Sequence, residues 1–334
     1  MIEFRRFGNA GLKTPPLILG GNVFGWTADA ATSFAVLDAF VAGGGSMIDT
    51  ADVYSRWMPG NKGGESETII GDWLARRGRA DSVLIATKVG AEGGLSAANI
   101  ETRVNGSLKR LRVERIDLLY AHRDDPNTPL EETLEAFERL VRAGKVGTLG
   151  ASNYDADRLE AAAHIAEERG FVGFSVLQSK YNLLERAELE GDLLRVARRR
   201  GTDVCAYYAL ANGYLTGKYR SEADLSKSPR GESVKKYMAG HGPRVLAALD
   251  QVANETGHTS AQVALAWIAA KITAPIASAT SVAQVGVGRR DGTSARCQTD
   301  CGSGRGLGLE PRVLGSVPLT PWSPACWRNS RATR

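Results

Sequence analysis

Eight short apolar runs recur along the 334 residues, and segments with helical spacing separate most of them, so the core must be built by alternating strand and helix. The candidate strands are Pro16 to Gly20, Ser46 to Asp49, Ser82 to Lys88, Asp117 to His122, Val146 to Ser152, Gly173 to Ser179, Asp203 to Leu210 and Ala274 to Ser278. Candidate helices lie at Ala31 to Ala42, Ser66 to Arg77, Ser96 to Leu111, Leu130 to Ala143, Ala156 to Glu168 and Ala187 to Arg200. In the fourth of these, Leu130, Leu134, Phe137, Leu140 and Val141 share one face, and glutamates and arginines fill the other. Gly78, Gly144, Gly170 and Gly201 stand where helices should stop. A period of roughly 30 to 40 residues per pair predicts an α/β chain folded as a (β/α)8 TIM barrel rather than an open doubly wound sheet. No GxGxxG follows the first strand, which argues further against a dinucleotide-binding Rossmann domain. An N-terminal extension precedes Pro16, and a polar stretch from Tyr214 to Gly242 reads as a long loop over the barrel mouth.

Charge excludes one class of partner. The net charge is +5, and residues 286–334 hold 8 Arg and 3 acidic residues, so the whole excess lies there. The preceding 285 residues balance at 34 basic and 34 acidic, and the tail lacks the basic and aromatic interleaving of a nucleic-acid surface. No nucleic-acid partner is expected. The N-terminus lacks a signal-peptide apolar core, and no run approaches the roughly 20 apolar residues of a membrane span, so a cytoplasmic location with no membrane partner is expected. Of four cysteines only Cys205 lies within the patterned part, where it reads as a buried thiol.

Three early runs end in ionisable groups: Met47-Ile48-Asp49 with Tyr54 just beyond, Val83 to Lys88, and Ile116 to His122. Strand ends that deliver Asp, Tyr, Lys and His to one rim make a site for moving protons, with redox chemistry on a carbonyl as its natural use.

Six ordered motifs carry a family resemblance. They are Asp49-Thr50-Ala51-Asp52-Val53-Tyr54, Thr87-Lys88, Leu119 to Asp124, Gly150-Ala151-Ser152-Asn153, Gln178 to Asn182, and Gly213 to Tyr219. Over residues 1 to about 285 the chain resembles an aldo-keto reductase, and is most similar to the bacterial branch that includes potassium channel β subunits. The resemblance implies an NADP(H)-dependent oxidoreductase, with NAD(H) as the alternative, that interconverts a small-molecule carbonyl and its alcohol. Asp49, Tyr54, Lys88 and His122 match the catalytic tetrad. A phenol of pKa near 10 is a poor acid at neutral pH, so Lys88 is expected to lower the Tyr54 pKa, and Asp49 to hold Lys88 charged. His122 would orient the carbonyl.

The cofactor positions follow in the same way. Ser152, Asn153 and Gln178 match the nicotinamide carboxamide contacts, and Tyr207 the aromatic on which that ring stacks. Leu210, Gly213 and Lys218 match the pyrophosphate loop, and Arg230 an arginine that clasps the cofactor. Ser278, Thr280 and Gln284 match the surroundings of the adenosine 2'-phosphate. Asn22, Phe24, Trp26, Trp57 and Tyr214 are the expected substrate walls, which suit a large or hydrophobic carbonyl. No oligomeric state is read from the sequence.

After Val285 the chain departs from the family pattern. Residues 286–334 are Gly-, Arg-, Pro- and Ser-rich without helical period, and a change of reading frame near Val285 is the expectation, against a genuinely divergent tail. Cys297 and Cys301 form one CxxxC without a second pair, so no metal is expected. Two other functions compete with the reductase. One is a redox-sensing or scaffolding subunit with little turnover, and the other is a Schiff-base aldolase using Lys88, which leaves Tyr54 and Asn153 unexplained.

Overall fold

The computed structural model describes residues 4–78 and 83–286 and begins with an antiparallel hairpin, β1 (Arg5–Phe7) and β2 (Leu12–Thr14). Eight strands follow: β3 (Ile18–Gly20), β4 (Met47–Asp49), β5 (Leu84–Val89), β6 (Ile116–Ala121), β7 (Val146–Ser152), β8 (Val176–Lys180), β9 (Asp203–Tyr207) and β10 (Ala274–Ala277). Each pairs in parallel with the next, and β10 returns to β3, so the barrel is closed. Six helices make the first crossovers: α1 (Ala30–Ala42), α2 (Glu65–Arg77), α3 (Ala97–Leu111), α4 (Leu130–Arg142), α5 (Ala156–Arg169) and α6 (Asp192–Arg199). This is the (β/α)8 barrel that the alternation predicts.

The elements differ from expectation in three places. The expected helix at Ala187 to Arg200 starts five residues later, because Gly191 at φ 122° interrupts the chain and Arg186 and Tyr181 instead bind Glu190. The long loop is not structureless. It carries 3-10 turns at Ala211–Thr216, Glu222–Lys227 and Lys235–Tyr237 around α7 (Gly231–Val234), then α8 (Gly242–Thr256) and α9 (Ser260–Ala269). A last short helix, α10 (Val282–Gly286), follows β10. The frameshift expectation and the cysteines near 297 and 301 fall outside the described residues.

Two apolar layers hold the barrel. The larger lies between strands and helices; the smaller fills the barrel interior with Phe7, Ile18, Met47, Leu118, Tyr120, Val176, Cys205 and Ile276, among others. Cys205 is buried and free, as expected. Phe7 enters from the hairpin and is fully buried, so the N-terminal extension plugs the amino-end of the barrel. Gly8 makes this close approach possible: at φ +71° its Cβ would lie 2.6 Å from Thr148 Cγ2. Its amide donates to Asp203 Oδ2 at 2.8 Å. Arg5 Nη1 donates to the carbonyls of Ala269, Ile272 and Thr273, which ties the hairpin to the end of α9. The opposite, carboxyl end of the strands is where the cavity opens. No helix among the described residues is long and apolar enough to cross a membrane.

Candidate active site

Side chains alternate in and out of a barrel strand, so a charged residue at the carboxyl end of one strand can meet those of its neighbours above the packed interior. Asp49 ends β4, Lys88 lies near the end of β5, and His122 follows β6 directly, its amide bonded to the Val89 carbonyl at 2.8 Å. Tyr54 arrives on the turn after β4. The structure brings these four together.

Lys88 is the hub. Its Nζ donates to Asp49 Oδ2 at 2.7 Å, to the Thr50 carbonyl at 2.7 Å and to Tyr54 Oη at 2.8 Å, and the residue is 1% exposed. Three acceptors satisfy the three ammonium protons, so the cation is fixed in direction as well as place. Asp49 takes a second bond on Oδ1 from Gln178 Nε2 at 2.8 Å. Tyr54 and His122 rings meet edge-on at 6.1 Å between centroids.

The electrostatics correct one expectation. Burial pushes the Tyr54 phenol up to about 12; Lys88 pulls it down, but Asp49 pushes it up again, and desolvation wins. The expected net lowering does not occur in the free site. Burial disfavours the Lys88 ammonium, yet the Asp49 and Tyr54 charges outweigh it and its pKa rises. Burial and the Lys88 and Arg123 cations drop His122 to about 3, so the imidazole is neutral at working pH.

A cavity of about 990 Å³ rises from Asp49, Tyr54 and His122 and reaches the rim beyond β10. Every expected cofactor residue lines it: Ser152 at the end of β7 with Asn153 just beyond, Gln178 on β8, and Tyr207 at the end of β9. Leu210, Gly213 and Lys218 continue the wall, joined by Arg230 and by Ser278, Thr280 and Gln284 beyond β10. Lys88 lies behind the wall.

Several of these groups already have protein partners. The Gln178 amide nitrogen is committed to Asp49, which leaves its oxygen for a ligand. Asn153, in the left-handed region at φ 56°, donates Nδ2 to the His122 carbonyl at 2.9 Å and accepts from Tyr207 Oη at 2.6 Å. Ser278 Oγ donates to Asn22 Oδ1 at 2.5 Å, and Gln284 Oε1 accepts from the Thr280 amide at 2.8 Å.

The expected substrate walls divide. Asn22 and Trp57 line the cavity, but Phe24 and Tyr214 are buried away from it. Phe24 packs in the core, and Tyr214 packs on Tyr237 at 5.8 Å. Trp26 meets Trp57 edge-on at 5.5 Å and carries the Arg230 guanidinium at 5.1 Å over its ring, outside the cavity lining.

Sequence reading missed the residues behind Lys88. Thr87 Oγ1 donates to Glu67 Oε1 at 2.6 Å, and Arg110 Nε meets Glu67 Oε2 at 2.7 Å. Beside them lies a buried Asp52 whose carboxylate oxygens have no hydrogen bond. It also missed α9, whose Thr259, Gln262 and Leu265 line the cavity, although Thr259-Ser260-Ala261-Gln262 is a readable capping box. Among the described residues no cluster of three metal-ligating side chains occurs.

The aldo/keto reductase family model matches residues 16–286. An uncharacterized oxidoreductase of Bacillus subtilis is 37% identical over 300 residues, covering 85% of this chain and 89% of the relative. An aldo-keto reductase of Aspergillus calidoustus is 34% identical over 292 residues, covering 78% and 70%. A protein named as a probable voltage-gated potassium channel subunit beta, from Arabidopsis thaliana, is 31% identical over 299 residues, covering 85% and 89%. The chain belongs to the aldo/keto reductase family of oxidoreductases.

Proposed function

We propose that this chain is an NADP(H)-dependent oxidoreductase that interconverts an aldehyde or ketone and its alcohol, with Tyr54 giving and taking the proton. The observation that carries the reading is the Lys88 ammonium, held by Asp49 at 2.7 Å and aimed at the Tyr54 hydroxyl at 2.8 Å on the cavity floor.

The cavity suits a dinucleotide. Asp49 is its one carboxylate among the described residues and is already paired with Lys88, whereas Lys218, Lys227 and Arg230 supply cations for phosphates. Gly213, at φ +96°, brings backbone close to Lys218, as a phosphate loop requires. Asn153 and the free Gln178 oxygen can meet a carboxamide, and the Tyr207 ring gives a face for stacking. Leu210 adds an apolar wall. Ser152 supports Asn153 through a 3.1 Å bond. Ser278, Thr280 and Gln284 present neutral polar groups at the far rim, with no carboxylate to repel a 2'-phosphate. When bound, the reduced dinucleotide supplies the hydride.

The residues then handle the proton. At neutral pH Tyr54 carries it, because its pKa stands at about 12. As negative charge develops on a carbonyl oxygen beside Tyr54, the phenol hydrogen bond strengthens and the proton transfers. Lys88 stabilises the phenolate left behind. His122, neutral at that pH, orients the carbonyl without adding a cation that would compete with Lys88.

Tyr54→Phe should remove most carbonyl reduction while NADPH affinity, followed by fluorescence titration, stays nearly unchanged. Wild-type turnover in that variant would sink the proton-donor reading. The likeness to the Arabidopsis channel-subunit protein favours a second reading, a dinucleotide-binding subunit with negligible turnover. Steady-state rates across aldehydes, ketones, sugars and secondary alcohols separate the two.

A further inference from the structure

Asp52 sits three residues after Asp49 and two before Tyr54, on the turn that wraps Lys88. Its amide donates to the Lys88 carbonyl at 3.1 Å, as Lys88 Nζ grips the Thr50 carbonyl at 2.7 Å, so the turn is pinned to β5 from both sides. The carboxylate is fully buried, and neither oxygen has a hydrogen bond. Its nearest cation is Arg103 Nη1 on α3 at 3.7 Å, an arginine shared with Glu92 at 3.4 Å. Glu92 in turn pairs with Arg56.

Charged groups face Asp52 from every side. Glu67 on α2 opposes its ionisation, whereas Arg103 and Arg110 on α3 and Lys88 on β5 favour it. Glu67 is itself committed to Thr87 and Arg110. Asp49 and Tyr54 flank it along the turn. A carboxylate stripped of water and of hydrogen bonds is one whose charge a small change in conditions can remove.

We propose that Asp52 is a positioning residue whose ionisation tunes the Lys88 field felt by Tyr54, so that carbonyl reduction carries a titration belonging to Asp52. Burial, with Glu67, pushes its pKa up to about 6. Below that pH Asp52 is neutral and only Asp49 opposes the Lys88 cation at Tyr54. Above it the anion offsets part of that field, Tyr54 becomes a weaker acid, and reduction slows. For a buried charge coupled to Tyr54 through Lys88 the expected fall is roughly three- to tenfold between pH 5 and pH 8.

The inference rests on the reading of Tyr54 as proton donor, and the test separates the two. Single-turnover reduction of an aldehyde by the NADPH complex is followed against pH in wild type, Asp52→Asn and Arg103→Met. Asp52→Asn should lose the inflection and hold the faster, low-pH rate throughout. Arg103→Met, which removes a cation that favours the anion, should move the inflection to higher pH. In parallel, the Tyr54 13Cζ resonance of tyrosine-labelled protein should show a step near pH 6 that vanishes in Asp52→Asn. If the resonance step and the rate inflection both persist in Asp52→Asn, or the wild type shows no step, the proposal is overturned. If the step is present and Asp52-dependent but no carbonyl is reduced, the coupling stands and the proton-donor reading fails.

Discussion

Lys88 carries more of the site than any other side chain, because three hydrogen bonds and one ion pair converge on a group with almost no access to water. Removing it should cost more than removing a surface charge, since Asp49 would stay buried without its cation, left with Gln178 Nε2 and a long 3.5 Å bond from the Tyr54 hydroxyl. Lys88→Met is expected to lower stability by about 3–5 kcal/mol in urea unfolding, and Lys88→Met combined with Asp49→Asn by less, because the second change removes the stranded charge. At this scale much was legible. Asp49, Lys88 and His122 each close a strand-like run, with Tyr54 just beyond the first, and three such endings already imply a shared rim. The net pKa of Tyr54 was not legible, because it turns on how far burial outweighs Lys88, and burial belongs to the assembled barrel. The state of Asp52 escaped for a related reason: its nearest cation, Arg103, comes from a helix whose side-chain directions the motif does not contain.

Helices and strands are positioned by a few contacts that admit no extra atom. On α2, a Cβ at Gly71 would lie 2.0 Å from the Arg110 carbonyl of α3, so these two helices approach backbone to backbone. Gly71→Ala should therefore destabilise the chain by about 1–3 kcal/mol or more, although alanine is the better helix former, and thermal unfolding would check it. A gain in stability would show that the helices can separate at no cost. Periodicity placed α1 to α5 and all eight barrel strands, since each has an apolar face against the barrel. It did worse where irregular chain intervenes. α8 and α9 follow a polar stretch that reads as loop, and the hairpin strands β1 and β2 bury one residue each, so no apolar run marks them as it marks the equally short β3 and β4.

At the scale of the molecule, one end of the barrel is closed so that the other can be open. Phe7 fills the amino-end interior beside Met47, Leu118 and Ile276, and the cavity occupies the carboxyl end above the same strands. Phe7→Ala should leave a buried void and cost about 3–5 kcal/mol, read by chemical denaturation, with little change in the geometry of Tyr54 and Lys88. Retained kcat at low temperature, together with an earlier thermal transition, is the expected pair of results. Loss of kcat with unaltered stability would mean that the plug and the site are coupled rather than merely stacked on one scaffold.

The clasp of Arg5 on the Ala269, Ile272 and Thr273 carbonyls also governs how the chain is born. A ribosome delivers Arg5 first and its three acceptors more than 260 residues later, an interval of roughly 13 to 50 s at ordinary elongation rates. Throughout that time β3 has only one of its two neighbours, because β10 has not yet been made. The nascent barrel is an open sheet with a sticky edge until its last strand emerges. Closure is thus a late event, and for most of its synthesis the chain holds its first barrel strand waiting for its last.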